Sequence, residues 1–463
     1  MNDFSHDTRL RDAWGALRPE FLEDIKSSLV GQDAKQARSL TRDLHAADLA
    51  DAMEALSALD RVSLVNLLGK FFDVEALAEL DEGTRDSIVE ELPPDVMAAA
   101  IKKLDTDDAV YLLEDLDRKQ RSEILAKIPK EDRVTLNRAL DYPEDTAGRL
   151  MQTEFVAVPA FWTVGKVIDH TRATRGLPEH FVEIYVTDAD FHLKGALPLS
   201  RIMRTARERD VAALMDTDQT VFKVTDTKED VAYKFEQYNL VSAAVTDGSG
   251  RLVGTLMVDD VLDIIQEQAE DDMLRLGGVA ASEEIAGQVL TVTKSRFLWL
   301  FVNLLTAILA SWVISWFDAT IQQMVALAVL MPIVASMGGN AGTQTMTVAV
   351  RALATRQLGP FNALRVVWRE CAVGLINGFL FAIIMGLFTW WWFGFSALGL
   401  IIGAAMIINL LAAALAGILL PLALDWFESD PAVSAAVFLT TVTDVTGFFS
   451  FLGLATLWLK MKA

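Results

Sequence analysis

The residue whose chemistry is hardest to avoid is Asp444. It lies in Thr440-Thr441-Val442-Thr443-Asp444-Val445-Thr446-Gly447, near the middle of the 29-residue run Pro431–Leu459 that holds no other charge. An ionised carboxylate at the centre of a spanning helix costs at least ~2.5–3.5 kcal/mol on insertion scales, less where it faces water or a cation. Thr440 and Thr441 stand at i−4 and i−3, so the same helical face is polar. Oxygen coordination of a cation is the chemistry this suits. The alternative is a structural Asp, protonated or bonded to the threonines.

A second constellation is Pro332-Ile333-Val334-Ala335-Ser336-Met337-Gly338-Gly339-Asn340-Ala341-Gly342-Thr343-Gln344. Three glycines and a proline in an apolar run either loosen the helix and expose backbone carbonyls, or let helices pack closely through small residues. Exposed carbonyls would suit Mg2+, Ca2+ or alkali ions rather than Zn2+ or Cu+. A third is the acidic series Asp260, Asp263, Glu267, Glu270 and Asp271, at steps of 3, 4, 3 and 1. At ~100° per residue they share a face about 100° wide. Like charges at i,i+4 oppose a helix, so the stripe calls for basic partners or a divalent cation. A plain solvated face is its other reading.

These residues need elements to hold them. The uncharged runs Phe297–Phe317, Ala319–Val350, Cys371–Leu424 and, apart from Asp444, Pro431–Leu459 are long enough to cross a bilayer. The third run has 54 residues, too many for one crossing, and divides at the aromatic cluster Trp390-Trp391-Trp392-Phe393-Gly394-Phe395. Five spans are expected. Asn2–Arg11 is charged and polar, unlike a signal peptide. Arg351, Arg356, Arg365 and Arg369 cluster between spans two and three, and positive loops stay inside. The N-terminal half is therefore expected in the cytoplasm and the C-terminus outside, with Lys460 and Lys462 as a small dissent. A simple anchor needs one span and no charge within it.

The first half carries the charge. Of 463 residues, 41 are Lys or Arg and 63 are Asp or Glu, for a net −22. From Phe297 onward acids and bases balance, so the whole excess lies in residues 1–296. A basic surface for nucleic acid is not offered. Cys371 is the only cysteine, which excludes an internal disulfide and, with five histidines, disfavours a soft-metal site. Residues 40–135 read as short amphipathic helices in which Leu44, Asp48, Glu54, Leu56 and Arg61 recur as Leu104, Asp108, Glu114, Leu116 and Arg121. Such repeats bury each other's apolar faces. Residues 150–265 repeat at an offset of 59, with Val186-Thr187-Asp188, Leu193, Gly195 and Leu197 matching Val245-Thr246-Asp247, Leu252, Gly254 and Leu256. Each unit reads as strand, turn, strand and helix start. The pair resembles tandem cystathionine-β-synthase-type (CBS) regulatory domains, which usually dimerise and often bind adenine nucleotides or metal ions. A plain α+β domain with a duplicated hairpin is the alternative.

Tyr142-Pro143-Glu144-Asp145-Thr146-Ala147-Gly148-Arg149-Leu150-Met151, the CBS pair, Gly338–Gln344 and Asp430-Pro431 followed by Thr443–Gly447 resemble, in that order, the MgtE family of Mg2+ channels. The resemblance implies a multi-domain chain: an all-α N domain (40–135), an α+β CBS pair (136–265), a connecting plug helix (266–293, most of it Asp271–Gly287) and a five-span α-helical pore domain (294–463); an N-terminal extension (1–39) departs from that pattern and has no assignable role. It implies a homodimer in the plasma (inner) membrane. Asp444 would bind hydrated Mg2+ in the pore, with Asn340, Gly339, Thr440 and Thr441 as further oxygen donors. Asp259, Asp260, Asp263, Glu267, Glu270 and Asp271 would bind regulatory cytoplasmic Mg2+ and close the pore. ATP could occupy the CBS pair. The segment Asp425-Trp426-Phe427-Glu428-Ser429 departs from the bases expected before Asp430. A carrier coupling divalent ions to H+ or Na+ is the nearest rival, and a ligand-sensing receptor another. A metalloprotease would need His-Glu-x-x-His, and no histidine follows His192.

Overall fold

The computed structural model describes residues 10–12, 15–89, 91–114, 116–178, 180–277, 279, 289–359, 361–427 and 431–462. The chain forms two compact units, Met1–Glu267 and Gln268–Ala463.

The first unit opens with nine helices among its described residues: α1 (Pro19–Val30), α2 (Ala34–Thr41), α3 (Ala46–Glu54), α4 (Ala58–Leu68), α5 (Glu82–Val89), α6 (Pro94–Ile101), α7 (Thr106–Glu114), α8 (Arg118–Leu125) and α9 (Lys130–Leu140). The 60-residue repeat is real structure: α3 and α7 correspond, and so do their successors. Ser57 caps α4 through the Asp60 amide, and Asp117 caps α8 through Lys119 and Gln120. Arg61 and Arg121 each turn back onto carbonyls at the end of the preceding helix. One apolar core runs from Leu10 to Ala139. It takes in Phe21 and Ile25 of α1 and Ala37 of α2, so residues expected to be a roleless extension are packed into this core. Arg11 reinforces them, pairing with Asp48 at 2.7 Å and with Asp51.

The CBS pair follows as α10 (Ala147–Leu150), β1 (Ala157–Pro159), α11 (Val164–Ala173), β2 (Glu183–Thr187), β3 (Leu193–Pro198), α12 (Leu199–Met203), β4 (Val221–Lys223), α13 (Lys228–Tyr238), β5 (Ser242–Thr246), β6 (Leu252–Met257) and α14 (Val258–Leu276). Two three-stranded sheets, β1-β2-β3 and β4-β5-β6, have the same topology: a parallel pair, then an antiparallel hairpin. Each hairpin shifts register at the equivalent place, Val186/Thr187 and Val245/Thr246. The paired glycines have a shared reason. A Cβ on Gly195 would lie 2.5 Å from the Asp216 carbonyl, and one on Gly254 2.7 Å from that of Gln152. A linking segment crosses each sheet there.

The second unit holds α15 (Val289–Ser315), a short α16 (Asp318–Gln323), α17 (Ala326–Ala354), α18 (Ala363–Phe393), α19 (Ser396–Trp426) and α20 (Pro431–Lys462). Five of these are long and apolar enough to span a bilayer. The 54-residue run breaks where its aromatic cluster indicated: Gly394, at φ 67°, caps α18 in the left-handed conformation. Helix α19 is central, packing against α17, α18 and α20, while α15 lies on α20. Residue burial agrees: 61% of the α19 window is buried, against 11% for α15 and α18. The last two therefore leave most of their apolar surface uncovered by the rest of the chain.

Candidate functional site

Within the second unit, α17 and α20 have the lowest mean hydropathy of the five spans, 1.3 and 1.5. They carry the glycine segment and Asp444, and they pack together. Helix α17 runs unbroken through Pro332 and Gly338–Gly342. Gly338 and Gly342 serve close packing rather than exposed carbonyls. A Cβ on Gly338 would overlap Asn409 of α19, and one on Gly342 would lie 2.7 Å from Leu439 of α20. Thr343 and Thr347 donate 2.9 Å hydrogen bonds to the Gly339 and Thr343 carbonyls. Carbonyls of Gly338–Thr343 are thus engaged within the helix. A methyl on Gly339 would meet nothing within 4 Å, and Asn340 is exposed. Both keep an open face.

Asp444 is half-buried on α20, with no hydrogen-bond or ion-pair partner among the described residues. Thr440 and Thr441 donate to the Val437 carbonyl at 3.0 and 2.8 Å, leaving their lone pairs available. Two other polar groups in the spans are satisfied, at least in part. Glu370, buried on α18, pairs with Arg369 at 2.8 Å and accepts from Thr345 at 3.4 Å. Asn409, fully buried, donates to the Val334 carbonyl at 2.8 Å and lies between Gly338 and Gly447. Its Oδ1 has no partner among the described residues. Sequence reasoning missed both. The signal for Asn409 was a lone amide in the apolar run Ile407-Ile408-Asn409-Leu410.

The acidic stripe lies on α14, which begins at Val258 in the first unit. Residues 280–288, the later part of the expected plug helix, lie outside the described residues. The stripe divides. Glu267 has Lys228 at 3.7 Å, and Asp271 has Arg275 at 3.5 Å. Asp260 instead faces carboxylates of the N domain. Both oxygens of Asp107 and Oδ2 of Asp260 are sealed from solvent without a hydrogen-bond donor in bonding geometry. Burial, then the charge of Asp260, holds the Asp107 carboxyl well above the usual range. Burial and Asp259 push Asp260 up to about 7, and burial and Asp107 push Asp108 to about 7. Asp105, Glu79 and Asp263 are raised too, each first by burial. Asp259 itself is exposed.

Helix α7 cannot easily withdraw from this crowding. At its start, Glu154 accepts from the Thr106 amide and hydroxyl at 3.2 and 2.7 Å. At its end Glu114 lies 3.8 Å from Arg149 of α10. Two buried carboxylates so held need a proton or a cation between them. Among the described residues no three His, Cys, Asp or Glu groups close into a cage. Two carboxylates with water filling the remaining positions suit Mg2+, which keeps much of its hydration shell. Asp107 was missed in the sequence because its partner is 153 positions away.

Comparison with known proteins bears on the family. Residues 331–454 match the family described as "Divalent cation transporter", 44–145 the "MgtE intracellular N domain" and 209–267 the "CBS domain". The magnesium transporter MgtE of Thermus thermophilus is 30% identical over 94% of this chain and 98% of its own length. That of Enterococcus faecalis is 29% identical over 94% and 96%. Among solved structures, the soluble part of a magnesium transporter covers 54% of this chain and 98% of its own, with 27% identity and a TM-score of 0.48. The cytosolic domain of the Mg2+ channel MgtE in complex with ATP covers 52% and 99%, with 28% identity and a TM-score of 0.49. With a 30% identical relative matched over almost its full length, and with helical N domain, CBS pair and five apolar helices in the same order, the chain belongs to the MgtE family of magnesium transporters.

Proposed function

We propose that the protein is a Mg2+-selective channel for passive uptake into the cytoplasm, closed by cytoplasmic Mg2+ bound to its acidic first unit. The observation that carries the pathway is Asp444: a carboxylate in an apolar span, with no protein partner among the described residues. In a homodimer two copies would face one axis and hold hydrated Mg2+ through its waters. Thr440, Thr441 and the Asn340 side chain supply further oxygen acceptors, and Gly339, whose carbonyl is engaged by Thr343, contributes only an open face. A doubly charged ion moving inward gains ~4.6 kcal/mol per 100 mV, so no second driving force is required.

Closure rests on Asp107, Asp108, Asp260 and Asp263, with Asp259 at the exposed edge of the group. Bound Mg2+ supplies the positive charge that their mutual repulsion lacks. Glu267 and Asp271, already paired with bases, and Glu270 hold the helix face rather than the first ion. Scarce Mg2+ leaves the faces repelling, and plentiful Mg2+ favours the closed arrangement, a population shift set by differential affinity. Arg351 at the end of α17, Arg356 in the connection, and Arg365 and Arg369 at the start of α18 favour a cytoplasmic N-terminal unit and a C-terminus outside. ATP in the CBS pair would need the cleft to open. The space beside Phe155, Tyr185 and Thr255 is about 10 Å³, and Tyr185 Oη is 2.6 Å from Thr255 Oγ1.

The test is Mg2+ uptake into proteoliposomes carrying an internal dye. Flux by the protein and none by Asp444→Ala is expected, with current reversing at the Mg2+ equilibrium potential. Equal flux in both would remove Asp444 from the pathway, and reversal elsewhere would favour a coupled carrier.

A further inference from the structure

The N-terminal helices carry a feature of opposite sign to everything above. Lys35, Arg38 and Arg42 at α2, Lys70 and Lys103 converge with Phe71 on a groove of about 800 Å³. Asp43 and Asp73 also line it, leaving a net +3 in a chain of net −22. No ion pair joins any of the five cations to a carboxylate among the described residues.

The cations are arranged rather than scattered. Steps of 3 and 4 put Lys35, Arg38 and Arg42 on one face of α2. The Arg38 guanidinium lies 4.0 Å from the centre of the Phe71 ring, with Lys70 Nζ at 5.2 Å. Ring contact fixes the Arg38 fork at the groove. Its Nε is sealed from solvent and has no acceptor among the described residues. Like charges held together, a guanidinium fixed on an aromatic ring and a volume within the ~300–1,000 Å³ of small-molecule sites all point to one ligand chemistry. Guanidinium forks match tetrahedral oxyanions in shape, and several cations suit a multiply charged one.

We propose that this groove binds a multiply charged phosphate group, carried by a soluble polyphosphate or by a phospholipid headgroup. Arg38 and Arg42 grip the phosphate oxygens, and Lys35, Lys70 and Lys103 neutralise the remaining charge. The site shares no residue with the carboxylate cluster or the spans, so it stands or falls apart from the channel reading.

The experiment is calorimetric titration of the full chain in detergent with inorganic tripolyphosphate, in Mg2+-free buffer. Saturable binding is expected, weakening with salt. It should weaken at least about tenfold in Arg38→Gln/Arg42→Gln, whose charge-assisted bonds are lost. Lys70→Gln/Lys103→Gln should also weaken it, and Lys223→Gln, on strand β4, should not. Thermal unfolding checks that each variant remains folded. Repeating the titration in nanodiscs separates the sources. Weaker binding with cardiolipin, whose headgroup carries two phosphates, than with phosphatidylcholine alone assigns the groove to a headgroup, and equal binding assigns it to a soluble ligand. Absence of saturable binding, or an undiminished affinity in both double variants, overturns the proposal.

Discussion

On the proposed reading, in which the crowded carboxylates bind the closing Mg2+, closure must depend on pH. Asp260 has its carboxyl raised from 3.8 to about 7, and Asp107 beside it is raised as well. A cation must displace the proton to bind. A group of pKa about 7 is roughly 90% ionised at pH 8 and roughly 10% at pH 6, so one displaced proton lowers apparent Mg2+ affinity about tenfold between them. Channel closure recorded in excised patches should therefore need about ten times more cytoplasmic Mg2+ at pH 6. Asp260→Asn removes one of the titrating groups and leaves Asp108, also raised to about 7. Its closure should be weaker at pH 8 and depend less steeply on pH. In Mg2+-free buffer the dependence has the opposite sense. The raised pKa means that protonated Asp260 stabilises the folded unit fully below 3.8, and that contribution is lost as pH rises through about 7. A gap of roughly 3 units at ~1.36 kcal/mol each is a ceiling of about 4, and partial exposure reduces it to about 2 kcal/mol. The full chain should melt several degrees higher at pH 5 than at pH 8 without Mg2+, and saturating Mg2+ should erase the difference. The same half-closing Mg2+ concentration at pH 6 and pH 8 would refute the reasoning, because a site of ionised, unprotonated carboxylates would not respond.

Other consequences can be tested separately. Gly338→Ala forces a methyl onto Asn409 and should cost about 1–3 kcal/mol of stability, with loss of flux, whereas Gly339→Ala meets nothing within 4 Å and should leave the melting temperature unchanged. Asn409→Leu removes the bond to the Val334 carbonyl and should cost roughly 1–2 kcal/mol, read by thermal unfolding in detergent, with Asn409→Asp largely retaining stability at acid pH, where its protonated carboxyl can still donate. Arg11→Ala leaves Asp48 and Asp51 facing each other and should destabilise the first unit by roughly 0.5–1 kcal/mol, an effect that shrinks as salt rises.

What could be read from sequence follows from the range of the interactions involved. Spans and their aromatic break are local properties of composition, and both repeats are preserved as fixed offsets, so these elements were legible. Asp444 was legible because an apolar background makes a single charge conspicuous. The glycine segment left two readings open, since only the neighbours of Gly338 and Gly342 decide between loosened backbone and close packing. They are Asn409 and Leu439, on other helices. The N-terminal residues gave no clear pattern because their apolar positions, such as Leu10, Phe21, Ile25 and Ala37, complete a core built by residues far along the chain. The stripe was visible, but its division was not: Lys228 of α13, bonded to Asp145 at 2.7 Å, also faces Glu267 at 3.7 Å, while Asp107 opposes Asp260 from α7.

That division decides what the stripe can do. A uniformly solvated stripe would bind cations weakly and without consequence for shape, because exposed charges are screened by water and salt. A stripe whose lower half is already paired and whose upper end is sealed against a second carboxylate concentrates the unmet charge at one junction. Helix α7 is held there at both ends, by Glu154 and by Glu114 with Arg149, so repulsion cannot be relieved by a small local movement. It is relieved either by a cation or by separating the N-domain helix from α14. Under the proposed function, the choice between those two outcomes is how this one junction would convert Mg2+ concentration into conformation.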